Sequence, residues 1–336
     1  MNPAQQQPRR RRGTGPKVGR RIGPYRLLSK LAAGGMGEVY VGFHEHLRRH
    51  VAIKIARGEG ASFDFLQAQL TEEARCLGAV NHPNVVTVYD FGYTDDGVAY
   101  LVMDLLEGKG LHHLIDETGA LSVPVAAQVA RQAAEGLAAF HAEGIICADV
   151  KPDNVMVVAG PLVGRPLVEH PWIKLLDLGA ARAVRQDGHM AADMDKPILG
   201  TSWYMSPEAV LGLGLDERAD VYSLGVLLHE MIVGQVPFLD ESDDAILNMH
   251  LWRQPLSLAG ALPGMEVGCQ LDRLCRTCLS KSPMERPCSM HDFIDQLDDA
   301  VEEWAQIHAP EQIESARPRL NHPASRVWLA AEGGLS

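Results

Sequence analysis

No stretch of the 336-residue sequence as long as a bilayer span, about 18 residues or more, is free of Asp, Glu, Lys and Arg. The longest such run is the 14 residues from Cys76 to Tyr89. An uncharged membrane-crossing helix is therefore not expected in the chain as given, which argues against a transmembrane receptor. The amino terminus, MNPAQQQPRRRRGTGP, has basic residues but no apolar core behind them, so it does not read as a secretory signal. Only six cysteines are present. Without such a signal they suggest reduced thiols and a cytoplasmic location. Aromatic residues are scarce at 6%, yet the chain is 46% hydrophobic and 22% charged, which excludes disorder throughout.

The net charge of −12 hides an asymmetry. Residues 1–21 carry seven bases and no acid, whereas the remaining 315 residues carry 24 bases against 43 acids. An arm so rich in Arg, Gly, Pro and Gln cannot bury apolar surface and is expected to be disordered, a solvated tail on composition alone, with nucleic acid, an anionic membrane or the acidic body itself as the surfaces it could touch. The acidic body argues against nucleic acid as the main ligand, because phosphate binding rests on clustered Lys and Arg.

From Ile22 the pattern is strand-like. AAGGMGEVYVGF (32–43) and HVAIKIA (50–56) read as hairpin strands with β-branched alternation. In SFDFLQAQLTEEARCLGAV, Leu66, Leu70 and Leu77 fall at helical intervals with Glu73 nearby, and Asn81-His82-Pro83 ends the helix. Strands resume at VVTVYDFG and VAYLVMDLL. One helix among about five antiparallel strands, ending near Leu106, is an α+β module. Beyond Gly108 the pattern turns helical, as in Val125–Phe140 and DVYSLGVLLHEMIVG (220–234), with short strands at IIC, NVMVV and WIKLLD. The expectation is a mainly helical second lobe, with small ligands held in a cleft between two unlike lobes. After about Glu303 the chain reads as a weakly ordered tail.

Leu31–Val39 is a glycine-rich turn, and glycine there lets backbone amides approach phosphate oxygens. Glycine turns also join many hairpins, so the motif alone is weak. Lys54, in Val51-Ala52-Ile53-Lys54, is a lone Lys in an apolar strand, and a buried Lys needs an anion such as Glu73. Asp149-Val150-Lys151-Pro152-Asp153-Asn154 and, after a strand, Asp177-Leu178-Gly179 supply oxygen ligands for hard cations and a base for a hydroxyl.

In this order, with Ser206-Pro207-Glu208 downstream, these segments resemble the eukaryotic-like (Hanks-type) bacterial serine/threonine protein kinases over about residues 22–302. The resemblance implies a two-lobed α+β fold, with an N-lobe of about 22–106 and a C-lobe of about 107–302. It implies an enzyme that moves the γ-phosphoryl of ATP to Ser or Thr hydroxyls of protein substrates with Mg²⁺, or Mn²⁺ as an alternative. By the resemblance Gly34, Gly35 and Gly37 cover the phosphates. Leu31, Val39, Ala52 and Met103 surround the nucleotide, with Met103 as gatekeeper and Asp104–Leu106 as the hinge that meets adenine. Lys54 holds the α- and β-phosphates and is positioned by Glu73. Asp149 orients or deprotonates the hydroxyl, Lys151 neutralises the γ-phosphate, and Asn154 and Asp177 hold the metal. Glu208 and Arg286 are implied as a buried ion pair, and Asp220 as the anchor of the catalytic loop.

The sequence departs from the family in three places. Ala32 replaces the first glycine of the loop. Cys147-Ala148 stands where His-Arg normally precedes the catalytic Asp. In the family that Arg pairs with an activation-segment phosphate, and between Asp177 and Gly200 there is no Ser, Thr or Tyr to carry one. The expectation is a kinase whose segment 180–199 is not switched by phosphorylation. The alternative readings are a pseudokinase scaffold that binds nucleotide and a protein partner, and a small-molecule kinase of related fold. Gly160–Trp172 reads as an insertion. Cys275-x-x-Cys278 with Cys288 and His291 can be read as a zinc site, but the spacing of Leu271, Leu274, Cys275 and Cys278 favours a helix core face. Cys147 can be read as a redox-sensitive or as a packed, inert thiol, and packing is favoured.

Overall fold

The computed structural model describes residues 18–34, 37–57, 61–158, 171–176, 182–183 and 202–308. The chain divides into two compact units, one of residues up to 74 together with 88–105, the other of 75–87 and 106 onward. Gly35, Asp177 and Thr201, most of the basic arm and of segment 180–199, and the tail beyond 308 lie outside the described residues.

The first unit holds strands β1 (Arg21–Ile22), β2 (Tyr25–Gly34), β3 (Gly37–His44), β4 (Arg49–Ala56), β5 (Val88–Tyr93) and β6 (Ala99–Met103). They form one antiparallel sheet in the order β1-β2-β3-β4-β6-β5. Alternation decides which side chains share a face. Tyr40, Ile53, Ile55, Tyr100 and Val102 turn to one side and join Ile22, Tyr25, Leu27 and Val51 in a core. The other face receives Val39, Lys54 and Leu101 in one row and Val41, Ala52 and Met103 in the next. Gly37 is demanded by sterics, since a Cβ there would lie 2.3 Å from the carbonyl oxygen of Ile55. Helix α1 (Ala61–Ala79) belongs to the first unit as far as Ala74. Leu70, Glu73 and Leu77, at helical spacing, are all buried.

The second unit contains β7 (Gly108–Gly110), α2 (Leu111–Thr118), α3 (Val123–Ala142), β8 (Ile145–Ile146), β9 (Val155–Val158), β10 (Trp172–Leu175) and β11 (Arg182–Ala183). It continues with α4 (Pro207–Val210), α5 (Arg218–Val233), α6 (Asp243–Trp252), α7 (Leu258–Ala261), α8 (Cys269–Cys278) and α9 (Met290–Ile307). Helix α5 is buried on nearly every side, as its all-round apolar sequence requires. It meets α8 at Gly225, where a Cβ would lie 2.4 Å from the Cβ of Cys278. Cys275 and Cys278 lie in this helix core, and burial pushes both thiols up. Helix α9 continues to Ile307, four residues beyond Glu303, with the Trp304 ring stacked on His308. Among the described residues no helix is long and apolar enough to cross a membrane.

Candidate active site

In the first unit, strand β4 carries Lys54 between Val39 and Leu101, and α1 brings Glu73 to it. The Lys54 ammonium donates to both Glu73 oxygens at 2.8 Å, with Lys54 7% and Glu73 2% exposed. An apolar strand cannot bury a lone ammonium, so the pair satisfies the requirement set by the sequence. Ala52 and Met103 are register partners on the same face. Leu31 lies at a register shift of β2, and Asp104 directly follows the last residue of β6. Gly34 and Gly37 close the β2–β3 hairpin as register partners. Among the described residues other than its chain neighbours, nothing lies within 4 Å of a Cβ placed on Gly34.

In the second unit, residues 147–154 lie between β8 and β9. The Lys151 ammonium donates to Asp149 Oδ1 at 2.8 Å and Oδ2 at 2.9 Å. The Asn154 amide donates to the Asp149 carbonyl at 2.8 Å and to Oδ2 at 3.0 Å. Both amide hydrogens of Asn154 are thus committed, and its carbonyl oxygen is the atom left for a ligand. An oxygen donor suits a hard cation such as Mg²⁺. The Leu176 N–H donates to the backbone carbonyl of Asn154 at 2.9 Å, tying the residue before Asp177 to this loop and leaving the side-chain oxygen of Asn154 uninvolved.

The loop is held from beneath by Asp220, which is fully buried. Its carboxylate accepts from the Cys147 N–H at 2.9 Å and the Ala148 N–H at 2.7 Å, and lies 2.8 Å from His141 Nε2. Ala148 has φ 55°, a left-handed conformation unusual for a residue other than glycine. Because the contacts use backbone N–H groups, replacing His-Arg by Cys147-Ala148 leaves this anchor intact. Cys147 is 1% exposed, and burial pushes its thiol well up, followed in effect by the neighbouring Asp220, so it is packed as a neutral thiol. The ion pair of Glu208 with Arg286 is formed, with contacts of 2.6 and 2.8 Å.

Three contributors escaped the sequence reading. His141, on the last turn of α3, has no local signal for its contact with Asp220. Asn84, next to the Asn81-His82-Pro83 helix stop, donates to the Ile173 carbonyl at 3.0 Å, which a boundary motif does not announce. Glu38, beside the glycine turn, is 4% exposed and accepts from Lys30 at 2.6 Å, Tyr40 at 2.7 Å and Arg57. Its alternation with apolar neighbours was the available clue.

Comparison with known proteins finds similar chains. Serine/threonine-protein kinase Pkn1 of Myxococcus xanthus is 34% identical over 294 residues, covering 88% of this chain and 40% of that protein. Serine/threonine-protein kinase pkn2 of the same organism is 37% identical over 275 residues, 82% of this chain and 32% of the relative. PknB of Mycobacterium tuberculosis is 32% identical over 315 residues, 93% of this chain and 47% of the relative. The chain thus spans less than half the length of these curated relatives. With residues 25–297 matching the model of the protein kinase domain, the chain belongs to the protein kinase domain family.

Proposed function

We propose that this chain is a serine/threonine protein kinase whose domain occupies residues 22–302 and transfers the γ-phosphoryl of Mg-ATP to Ser and Thr hydroxyls of proteins. Lys54, kept in place by Glu73, neutralises the α- and β-phosphates, and Gly34, Gly35 and Gly37 are assigned to cover them. Leu31, Val39, Ala52 and Met103 enclose the base, and Asp104 and Leu106 supply hinge contacts. Asn154, through its side-chain oxygen, and Asp177 would hold the divalent cation, which would supply positive charge to the phosphates. Asp149 orients the substrate hydroxyl and accepts its proton. Lys151 moves from the Asp149 carboxylate to the transferring phosphoryl group, where negative charge develops.

The observation that carries this reading is the Asp149 cluster, with Lys151 and Asn154 both donating to one carboxylate. A scaffold has no use for a proton acceptor held between an ammonium and an amide side chain. The test is incubation with Mg-ATP and a mixed protein substrate, comparing the parent with Asp149→Ala by intact-mass and phosphopeptide mass spectrometry. Asp149-dependent phosphate on Ser or Thr is expected. No phosphate in either sample, with nucleotide binding intact, would move the assignment to a pseudokinase scaffold, and phosphate on a metabolite alone to a small-molecule kinase.

The reading extends to regulation. Ala148 offers no charge to an activation-segment phosphate, its N–H is already bound to Asp220, and residues 178–199 contain no Ser, Thr or Tyr. Turnover therefore needs no phosphate on 180–199. A mapped phosphate within 201–204 that controls turnover sinks this idea. Residues 1–21 are assigned electrostatic contact with nucleic acid or an anionic membrane, although the last two bases, Arg20 and Arg21, are already paired with Asp96 and Glu45 and Arg21 belongs to β1. Unchanged location and turnover after their deletion overturns that role.

A further inference from the structure

Strand β6 ends at Met103, which is paired on one side with Ala52 and on the other with Val88. Asp104 is the first residue beyond those pairs, so the ladder no longer fixes the backbone there. Opposite this point β5 has a register shift between Val88 and Asp90, with Tyr89 as the extra residue. Bulges of this kind re-aim a side chain. The Tyr89 hydroxyl lies 3.1 Å from Asp104 Oδ1 and donates to it. Among the described residues this is the one hydrogen bond of the Asp104 side chain.

The far face of the Tyr89 ring is covered by Arg49, whose guanidinium carbon stands 3.7 Å from the ring centroid. A cation at this distance over an aromatic face is attractive and holds the ring in one orientation. Arg49 follows Arg48, whose φ of 51° completes the β3–β4 turn. The Arg49 Nε has no hydrogen-bond partner among the described residues. Burial, followed by the nearby Asp104 carboxylate, pushes the Tyr89 phenol up, so it remains a donor at neutral pH. Arg49, Tyr89 and Asp104 all lie in the first unit.

We propose that Arg49 and Tyr89 are positioning residues for Asp104, a clasp that substitutes for the missing ladder bonds and sets how tightly and how selectively the hinge holds the adenine base. The inference rests on the nucleotide-binding reading above. Neither residue is assigned contact with the nucleotide. Each acts through the Asp104 backbone.

Tyr89→Phe removes the donor and keeps the ring under Arg49. Calorimetric titration of the full chain with ADP and with GDP is expected to show ADP affinity falling about fivefold, the worth of one such hydrogen bond. The preference for ADP over GDP should fall with it, while the thermal midpoint stays within about 2 °C. In turnover, KM for ATP should rise with kcat unchanged. In an Asp104→Ala background, Tyr89→Phe should have no further effect on ADP affinity. A parent that binds ADP and a Tyr89→Phe variant that binds it equally well overturns the clasp alone. So does an additive loss in the Asp104→Ala background, or an equal loss for ADP and GDP with a lowered midpoint. A parent that binds no ADP overturns the nucleotide-binding reading and the clasp with it.

Discussion

Substituting Asp220 perturbs the loop of residues 147–154 most directly. The carboxylate is fully buried and serves the Cys147 N–H, the Ala148 N–H and the His141 ring at 2.9, 2.7 and 2.8 Å. Asp220→Ala leaves these groups without their acceptor. At about 1–3 kcal/mol for each buried group left unsatisfied, the sum is about 3–6 kcal/mol after partial relaxation. Domains of this kind are stable by only about 5–15 kcal/mol, so the alanine variant stands close to unfolding. Asp220→Asn keeps one oxygen acceptor and should lose about 1–3 kcal/mol while remaining folded. In that variant the φ of 55° at Ala148 is held less firmly. A left-handed alanine costs about 1–2 kcal/mol, so the loop relaxes and carries Asp149 with it. A misplacement of about 1 Å can lower a rate about 100-fold. The assays are urea unfolding, amide hydrogen exchange at 147 and 148, and phosphotransfer by the asparagine variant. An Asp220→Ala protein within about 0.5 kcal/mol of the parent, the range of inert surface changes, would refute the reasoning.

Arg286→Ala should cost about 3–5 kcal/mol in urea unfolding, because Glu208 would be left as a buried charge without its guanidinium. Arg286→Lys should recover only part of this, since one ammonium cannot span both Glu208 oxygens and the carbonyls of Arg218 and Ser280. A pH effect is expected at Glu230, whose carboxyl is pushed up to about 6 by burial, against the 2.7 Å hydrogen bond from the Tyr204 hydroxyl. The folded state then binds the proton more tightly than the unfolded one, whose value is 4.5. The stabilisation is complete below pH 4.5 and is lost as pH rises through about 6. Glu230→Gln should flatten this part of the unfolding profile between pH 4.5 and 7, and an unchanged slope refutes it.

Much of the architecture was legible because it depends on local periodicity. Alternation in 50–56 marked β4, and Leu70 and Leu77 with Glu73 marked the buried face of α1. The Lys54–Glu73 contact was legible for a chemical reason, since a charge in an apolar strand requires an opposite charge nearby. The strand count was less so. About five strands were expected in the first module and six are present among the described residues, because β1 is only two residues long and is defined by pairing with β2. The sheet β10-β9-β7 was missed in part for the same reason, as Gly108–Gly110 carries no apolar pattern.

The sequence by itself determined the two kinds of unit, the order of the charged segments and the neutrality of Ala148. These follow from residue type and near-neighbour spacing, which are properties of the unfolded chain as much as of the folded one. Only the tertiary structure decided that Asp220 meets residues 147 and 148 from more than 70 positions away, that His141 joins it, and that a one-residue bulge turns Tyr89 toward Asp104. Such contacts depend on register and helix packing. A shift of one residue in a strand reverses every side chain on it, so no local pattern specifies them until the whole core has formed.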